Sequence, residues 1–447
     1  MSLHDVVRDL LPGVLSDLGD LVAIESVSAD RARASEVERS ALAIVGLLVD
    51  AGCPDARIVR ANGGAPAVIA RFPAPAGMPT VCLYAHHDVQ PEGDPAGWAT
   101  PPFMATEVNG RLYGRGVSDD KGGFAVHLAA LRAFGGKPPV GVTLFIEGEE
   151  EVGSTDLAQL LEENREDLAA DVFVIADSDN WAVGQPAFTT SLRGLASCTV
   201  EVRTLDHGVH SGEYGGVVPD ALTALCRLLA TLHDDQGNVA IAGLATAPAP
   251  AMEYPPERLR EESGLFDGVD WIGSGSFVER MWCKPAVSVI ALDATPLDKA
   301  SNTLIPVARA KISARIAPGD DAARALAAVI THLNDHAPWG AQVKVTEGET
   351  AEGSLIDFTG PYAEAACAAF AQAWGLEPVL IGQGGSIPMV ADFSKAFPEA
   401  TILITAVGDP DSRAHGANES LHLADFAAAC LAETLMLNAF AHLGQRP

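Results

Sequence analysis

The stretch that decides the fold covers residues 79–125 and reads PTVCLYAHHDVQPEGDPAGWATPPFMATEVNGRLYGRGVSDDKGGFA. It begins with an apolar run, TVCLYA, which predicts a buried β-strand. His86, His87 and Asp88 follow at the carboxyl end of this strand, where open α/β sheets bind their ligands. The run SDDKGG then leads into an apolar-periodic segment that predicts a helix. Imidazoles at a strand end and carboxylates before a helix are the groups that a metal centre needs.

Strands and helices alternate on both sides of this stretch. Two helices precede it, and the runs APAVIARF, VGVTLFIEG and DVFVIAD predict further strands of a parallel or mixed sheet with helices on both faces. From residue 189 to 350 the pattern changes to alternating, half-exposed strands with two helices, and an Ala- and Pro-rich region at 243–275 predicts irregular structure. We therefore expect an α/β catalytic domain in two parts, 1–188 and 351–447, split by an inserted α+β lid or dimerisation domain at 189–350.

Composition excludes several classes of protein. The chain has 447 residues, which favours two domains, and its 29 basic and 59 acidic residues give a net charge of −30. Nucleic acid requires a basic face, so we expect no nucleic-acid partner. No run of about 18 uncharged apolar residues occurs, so we expect no membrane span. The acidic, amphipathic N-terminal segment is unlike a signal peptide, which predicts a cytoplasmic location.

The seven cysteines are scattered and contain no CxxC pair. This pattern argues against a disulfide framework and against a thiolate zinc site. Any metal would therefore be held by imidazole and carboxylate groups.

Metal-type side chains follow strand-like runs at several places. Carboxylates lined up at strand ends repel one another in a low-dielectric cleft unless cations neutralise them. Two metals about 3.5–4 Å apart are a common solution in hydrolases, and mixed imidazole and carboxylate ligation suits Zn²⁺ or Mn²⁺ better than Ca²⁺. Each group also has an ordinary interpretation, such as a helix N-cap or a solvated acidic turn. The groups are His86-His87-Asp88, Asp119-Asp120-Lys121, Glu147 with Glu149-Glu150-Glu151, Asp177-Ser178-Asp179, and His415.

Six motifs occur in a characteristic order between about residues 80 and 420: HHDVQPEGDPAGW…PPF…RLYGRGVSDDKGG, FIEGEEEVGS, DHGVHSGEYGG, NTLIP, GGSIP and RAHGANE. Together they resemble the carnosinase-type cytosolic dipeptidases. These dipeptidases belong to a di-zinc peptidase family that also includes aminoacylases, acetylornithine deacetylase and succinyl-diaminopimelate desuccinylase.

The resemblance implies two Zn²⁺ ions per subunit, with Mn²⁺ or Co²⁺ as alternatives. His86 and Asp177 would hold one ion, and Glu151 and His415 the other. Asp119 would bridge both ions, and in relatives the peptide bond that follows this residue is cis. The position of His87 is usually apolar in the family, and we assign it no metal.

Two further carboxylates have implied roles. Asp88 would orient His86, and Glu150 would be the general base that takes a proton from the metal-bridging water and passes it to the leaving amine. An extra acid, Glu149, precedes Glu150, and the following Gly153-Ser154 fix the assignment.

The resemblance also implies substrate contacts in the inserted domain. His210 would stabilise the oxyanion in the partner subunit's site, and Arg315 would pair with the substrate carboxylate. Further contacts would come from Asn302 or Thr303 and from Gly385-Ser386. Relatives usually carry Arg-Glu before GGSIP, whereas this chain has Gly-Gln there.

We therefore expect a cytoplasmic, homodimeric di-zinc hydrolase that cleaves the amide bond of dipeptides or similar small N-acyl amino acids. An N-acyl amino acid deacylase with the same centre is the alternative. A binding protein without catalysis, or a structural protein, would have lost the base or a ligand, and both classes are disfavoured because all of these residues are present.

Overall fold

The computed structural model describes residues 2–385 and 388–444. The chain forms two compact units. The first contains Met1–Thr190, Ile356–Ile381 and Asp392–Pro447, and the second contains Ser191–Leu355 and Gly382–Ala391. The division places the short segment Gly382–Ala391 in the second unit, whereas the sequence pattern assigns it to the catalytic domain.

The helices and strands are as follows. The helices are α1 (Leu3–Val22), α2 (Ala34–Asp50), α3 (Lys121–Ala133), α4 (Leu157–Glu163), α5 (Arg165–Leu168), α6 (Ser211–Tyr214), α7 (Ala221–Ala230), α8 (Pro256–Ser263), α9 (Ala322–Asp335), α10 (Pro361–Trp374), α11 (Pro388–Ala396) and α12 (Leu423–Leu443). The strands are β1 (Asp55–Val59), β2 (Ala67–Phe72), β3 (Thr80–His86), β4 (Thr106–Val108), β5 (Arg111–Tyr113), β6 (Gly141–Glu147), β7 (Val172–Ile175), β8 (Ala187–Leu192), β9 (Gly194–Arg203), β10 (Val209–His210), β11 (Ala286–Asp293), β12 (Thr303–Leu304), β13 (Val307–Ile316), β14 (Gln342–Ala351), β15 (Ser354–Leu355), β16 (Val379–Gln383), β17 (Thr401–Ile404) and β18 (Ser420–His422).

A mixed sheet forms the centre of the first unit, in the order β1-β2-β6-β3-β7-β17-β8. The four inner strands β6, β3, β7 and β17 are parallel, and β1, β2 and β8 are antiparallel to their neighbours. The inner strands are almost wholly buried and apolar, as expected for strands covered on both faces. The predicted α/β fold with a mixed sheet is therefore confirmed, and the carboxyl ends of four strands meet at one edge.

Helix α12 packs against α1, α3 and α10. It is the one helix in the described ranges that is long and apolar enough to cross a membrane, although we expected none, and 61% of its most apolar window is buried. Core helices share this composition, and the buried side chains of α12 contribute to the main apolar clusters of the unit.

In the second unit, a four-stranded antiparallel sheet has the order β11-β13-β9-β14. Helices α7 and α9 pack on one face, where alternate residues of β9 and β13 form an apolar core. The region 243–275 is not entirely irregular, because α8 forms within it. Pro256 occupies the first turn of α8, and Gly264 ends it in a left-handed conformation with φ 64°.

Candidate metal centre

The predicted metal ligands all lie in the first unit, close to the edge where the parallel strands end. His86 is the last residue of β3, Asp177 follows β7, and Glu151 follows β6 in a single helical turn. Asp119 directly precedes Asp120, which caps α3 by accepting from the Gly123 amide. The strand ends and this helix start place the four acidic or imidazole groups together.

Asp119 lies between two histidines. One carboxylate oxygen, Oδ1, is 3.0 Å from His86 Nε2, and the other, Oδ2, is 3.0 Å from His415 Nε2. His415 is also 3.2 Å from Glu151 Oε2. The peptide bond between Asp119 and Asp120 is cis. A carboxylate that presents one oxygen to each of two imidazoles is placed to bridge two cations.

Two groups of donor atoms could each hold a cation. In each group the donor atoms lie within 4.8 Å of one another; the groups are His86 with Asp120 and Asp177, and Asp119 with Glu151 and His415. Asp120 is a member that sequence reasoning did not assign. It accepts from the His86 amide at 3.2 Å as well as capping α3, and the adjacent pair of aspartates was the only signal for it.

The two donor groups contain more carboxylates than imidazoles, and the pKa values of several of these side chains are raised. Burial raises the pKa of the Asp177 carboxyl to about 7. Hydrogen bonds with Asp119 and Glu151 raise the pKa of the His415 imidazole to about 10. Divalent cations would favour ionised carboxylates and neutral imidazoles, which are the ligating forms. The donor set of imidazole nitrogens and carboxylate oxygens fits such cations.

Asp88 connects two of the loops that carry predicted ligands. Its carboxylate accepts from the backbone amides of Glu150 and Glu151 at 3.2 and 3.1 Å, and Oδ1 is 3.5 Å from His86 Nδ1. The same imidazole nitrogen is 3.0 Å from the Asp88 carbonyl oxygen. Burial opposes the ionised form of Asp88, but its contacts with His86 lower the pKa below the usual value. These contacts place Asp88 beside His86, and its implied role of orienting that ring stays a prediction.

The three consecutive glutamates point to different partners. Glu149 accepts from the Asp156 amide at 2.7 Å, which ties down the loop that follows. Glu151 contacts His415 and accepts from the Gln90 side chain at 2.7 Å. Glu150 lies between them, and burial raises the pKa of its carboxyl well above the usual value. The three carboxylates therefore differ in their contacts, and the assignment of Glu151 as ligand and Glu150 as base stays a prediction.

Glu419 is a positioning residue that sequence reasoning missed, although it closes the motif RAHGANE. It is buried, and its carboxylate accepts from the amides of Gly116, Ser118 and Asp119 at 3.0–3.1 Å. Arg115 donates to it at 2.7 Å. The carboxylate thus holds the loop that presents Asp119, and its motif position was the only signal for it.

His87 is not part of either donor group. Its ring is buried, and Nε2 lies 2.8 Å from the Pro66 carbonyl oxygen. Burial lowers the pKa of the imidazole to about 4, so the ring is neutral. The ring therefore packs in the interior as an uncharged side chain.

The predicted substrate contacts belong to the second unit. His210 pairs with Thr303 between β10 and β12, and the Asn302 carbonyl accepts from the Ser211 amide at 2.9 Å. Arg315 lies on β13. Gly385 is exposed just after β16, and Ser386 lies outside the described residues. The short β10–β12 ladder thus brings His210, Asn302 and Thr303 together.

Comparisons with known proteins show which proteins this chain is similar to. The profile of peptidase family M20/M25/M40 matches residues 82–438. The chain is 36% identical to the cysteinylglycine-S-conjugate dipeptidase of Corynebacterium striatum over 366 residues, covering 80% of both chains. It is 31% identical to the human Beta-Ala-His dipeptidase over 382 residues, covering 80% of this chain and 74% of the relative. The solved structure of the Saccharomyces cerevisiae dipeptidase Dug1p superposes with a TM-score of 0.83 at 25% identity, covering 98% of both chains.

Proposed function

Because the chain belongs to peptidase family M20/M25/M40 and is a metallopeptidase, we propose that it hydrolyses dipeptides with two Zn²⁺ ions per subunit. The observation that carries this proposal is the Asp119 carboxylate, which presents one oxygen to His86 and the other to His415. A single bridging carboxylate between two donor groups is suited to a pair of cations. The relatives named above are dipeptidases of Cys-Gly conjugates and of Beta-Ala-His.

His86, Asp119, Asp177, Glu151 and His415 would hold the metals. When bound, divalent cations polarise the scissile carbonyl and make water acidic enough to attack it near neutral pH. Asp120 lies in one donor group, but its bonds to two backbone amides favour a supporting role beside His86.

Glu150 is the general base of this proposal. It takes a proton from the attacking water and passes it to the leaving amine. Its amide is fixed by Asp88, and its neighbours Glu149 and Glu151 are engaged by other groups. A buried carboxyl with a raised pKa both accepts and returns a proton, which the two halves of amide hydrolysis require.

Substrate binding is assigned to the second unit. His210 would donate to the oxyanion from the partner subunit's lid, because its ring is exposed and its Nδ1 accepts from the Gly212 amide, leaving Nε2 to donate. Arg315 would pair with the substrate carboxylate. Asn302 or Thr303 and the Gly385-Ser386 backbone would add further contacts.

The trans role of His210 requires a homodimer, and β11 favours one. Within the described ranges this strand pairs only with β13, so its other edge is open. Val289, Ile290 and Leu292 are between 45% and 56% exposed along it. An open edge strand presents unpaired backbone N–H and C=O groups, and here it also exposes apolar side chains. Pairing with a second copy of the chain would cover both. A cytoplasmic location is also proposed, since all seven cysteines are free thiols.

The second candidate is an N-acyl amino acid deacylase. It is favoured by Gln383, which replaces the acid that dipeptidase relatives usually carry before GGSIP. A carboxylate there could form a charge-assisted hydrogen bond with the free amino group of a dipeptide, whereas the neutral amide of Gln383 would bind that group more weakly. An acyl substrate has no such amino group.

Hydrolysis of a matched panel tests both candidates. Metal-free protein is assayed on dipeptides and on N-acetyl amino acids, with and without Zn²⁺ or Mn²⁺, and metal content is measured. If added metal restores the cleavage of dipeptides and each chain then holds about two ions, the dipeptidase proposal is supported. Cleavage of acyl substrates only would transfer the assignment to the deacylase. If protein with both ions bound hydrolyses neither dipeptides nor N-acetyl amino acids, both candidate functions are refuted.

A further inference from the structure

A second guanidinium lies on the same sheet face as Arg315. Strands β9 and β13 pair with Arg315 opposite Leu195, and Arg193 precedes Leu195 by two residues. Side chains two apart in an extended chain share a face, and diagonal neighbours across two strands are within reach of long side chains. The alternate residues Ala196 and Ala314 lie in the apolar core under the helices. Arg193 and Arg315 therefore both project from the face turned away from α7 and α9.

Arg193 is held by backbone groups and is not fully satisfied. Its Nε donates to the Gly384 carbonyl at 3.3 Å, and its amide donates to the Gln383 carbonyl at 3.2 Å. Its Nη1 is buried and has no hydrogen-bond partner among the residues that the structure describes. A buried N–H without an acceptor is costly, particularly on a charged group. Because Nη1 of Arg193 is a donor, the partner that would satisfy it is a hydrogen-bond acceptor.

The surroundings of Arg193 are cationic. Burial, and then the charge of Arg315, lower the pKa of its guanidinium to about 10. The remaining ionisable neighbour is the Cys283 thiol, and no ion pair joins Arg193 to a carboxylate in the described part of the chain. Arg193 and Arg315 place two positive charges on the same face of the sheet, and this arrangement favours binding of an anion there. A planar carboxylate is the group that a guanidinium binds through two parallel hydrogen bonds.

We propose that Arg193 is a substrate-binding residue that, together with Arg315, holds the terminal carboxylate of the dipeptide. This inference rests on the proposed dipeptidase function and adds a residue that neither the sequence motifs nor the resemblance assigned. It requires that the substrate carry a free carboxylate, so dipeptide amides are poor ligands.

Binding and turnover of a dipeptide and of its C-terminal amide test the proposal. The dissociation constants are measured by calorimetry in Glu150→Gln protein, where turnover should be slowed by about 10²- to 10⁴-fold, and KM and kcat are measured in otherwise wild-type protein. We expect Arg193→Met to weaken dipeptide binding by about 10- to 100-fold, the contribution of hydrogen bonds to a charged group. Binding of the amide should be unchanged, and Arg193→Lys should restore part of the loss.

Gly384→Ala provides a variant that keeps the buried cation. A Cβ at this position would lie 2.8 Å from Arg193 Nη2, so the guanidinium must shift. We expect the same selective loss of dipeptide affinity, smaller than in Arg193→Met, with an unchanged unfolding temperature.

The outcomes separate this inference from the proposed function. If dipeptide and amide lose affinity equally, or if only kcat falls, Arg193 merely supports the loop and the inference is wrong. If wild-type protein binds dipeptides with this selectivity but hydrolyses none, the proposed function fails and the role of Arg193 stands. If dipeptides do not bind, both are overturned.

Discussion

The backbone amide of Glu150 donates a 3.2 Å hydrogen bond to the carboxylate of Asp88. The same carboxylate lies beside His86 Nδ1, so one buried side chain contacts both the imidazole at the end of β3 and the turn that carries the proposed base. Groups that orient metal ligands in this way typically contribute about 10- to 100-fold to metal affinity or activity.

Asp88→Asn tests this connection. The amide keeps the size of the side chain but presents an N–H toward one of the backbone amides, so the turn and the ring lose their shared acceptor. We expect metal affinity, measured by chelator competition, to fall by about 10- to 100-fold with the fold retained. Unchanged affinity together with unchanged activity would show that Asp88 orients neither group.

Glu150→Gln tests the base. The substitution removes the proton acceptor while preserving shape, so kcat should fall by about 10²- to 10⁴-fold with metal content unchanged. Glu149→Gln is the matched control, because its neighbouring carboxylate serves the Asp156 amide and not the centre. We expect the control to retain most of its activity. A control as inactive as Glu150→Gln would instead place the base one residue earlier.

His127 and Glu433 form a buried pair whose strength depends on pH. His127 Nδ1 is 2.9 Å from the Glu433 carboxylate, and Nε2 is 3.0 Å from the Tyr84 carbonyl oxygen. Both nitrogens face acceptors, so the doubly protonated imidazolium can donate from each of them. Burial opposes this charge, but the carboxylate outweighs it and raises the pKa of His127.

Because the folded pKa is raised, the pair stabilises the fold fully below the unfolded value of about 6.5, and the stabilisation is lost as pH rises through the folded pKa. His127→Gln should lower the free energy of unfolding by about 3–5 kcal/mol at pH 6, the usual cost of breaking a buried pair, and by less at pH 9. Denaturant titrations at both pH values measure the difference. A penalty independent of pH would mean that the ring is neutral.

Leu292→Lys tests the proposed dimer. The side chain is 52% exposed on β11, and a charge on an open strand edge opposes pairing with a second copy. We expect light scattering to report one chain instead of two, and His210-dependent activity to be lost with dimerisation. Leu42→Lys, at a site 56% exposed on α2, is the control and should leave the mass unchanged.

The family and the mixed sheet could be predicted because their signals are local. Apolar runs of strand length ended just before His86 and just before Asp177, and parallel strands must bring such ends to one edge. The resemblance to dipeptidases rested on motifs in order along the chain, and the comparisons confirmed it. The short helix α8 was missed because its polar sequence lacks an apolar face.

The sequence by itself determined which residue types reach the sheet edge and in what order. Only the tertiary structure decided which oxygen of Asp119 faces which histidine, that Glu149 turns away to the Asp156 amide, and that Glu419 holds the Asp119 loop across some 300 residues of chain. It also left Nη1 of Arg193 buried without an acceptor in the described ranges. The physical reason is that hydrogen bonding and burial depend on distances between segments remote in sequence, which local periodicity does not encode.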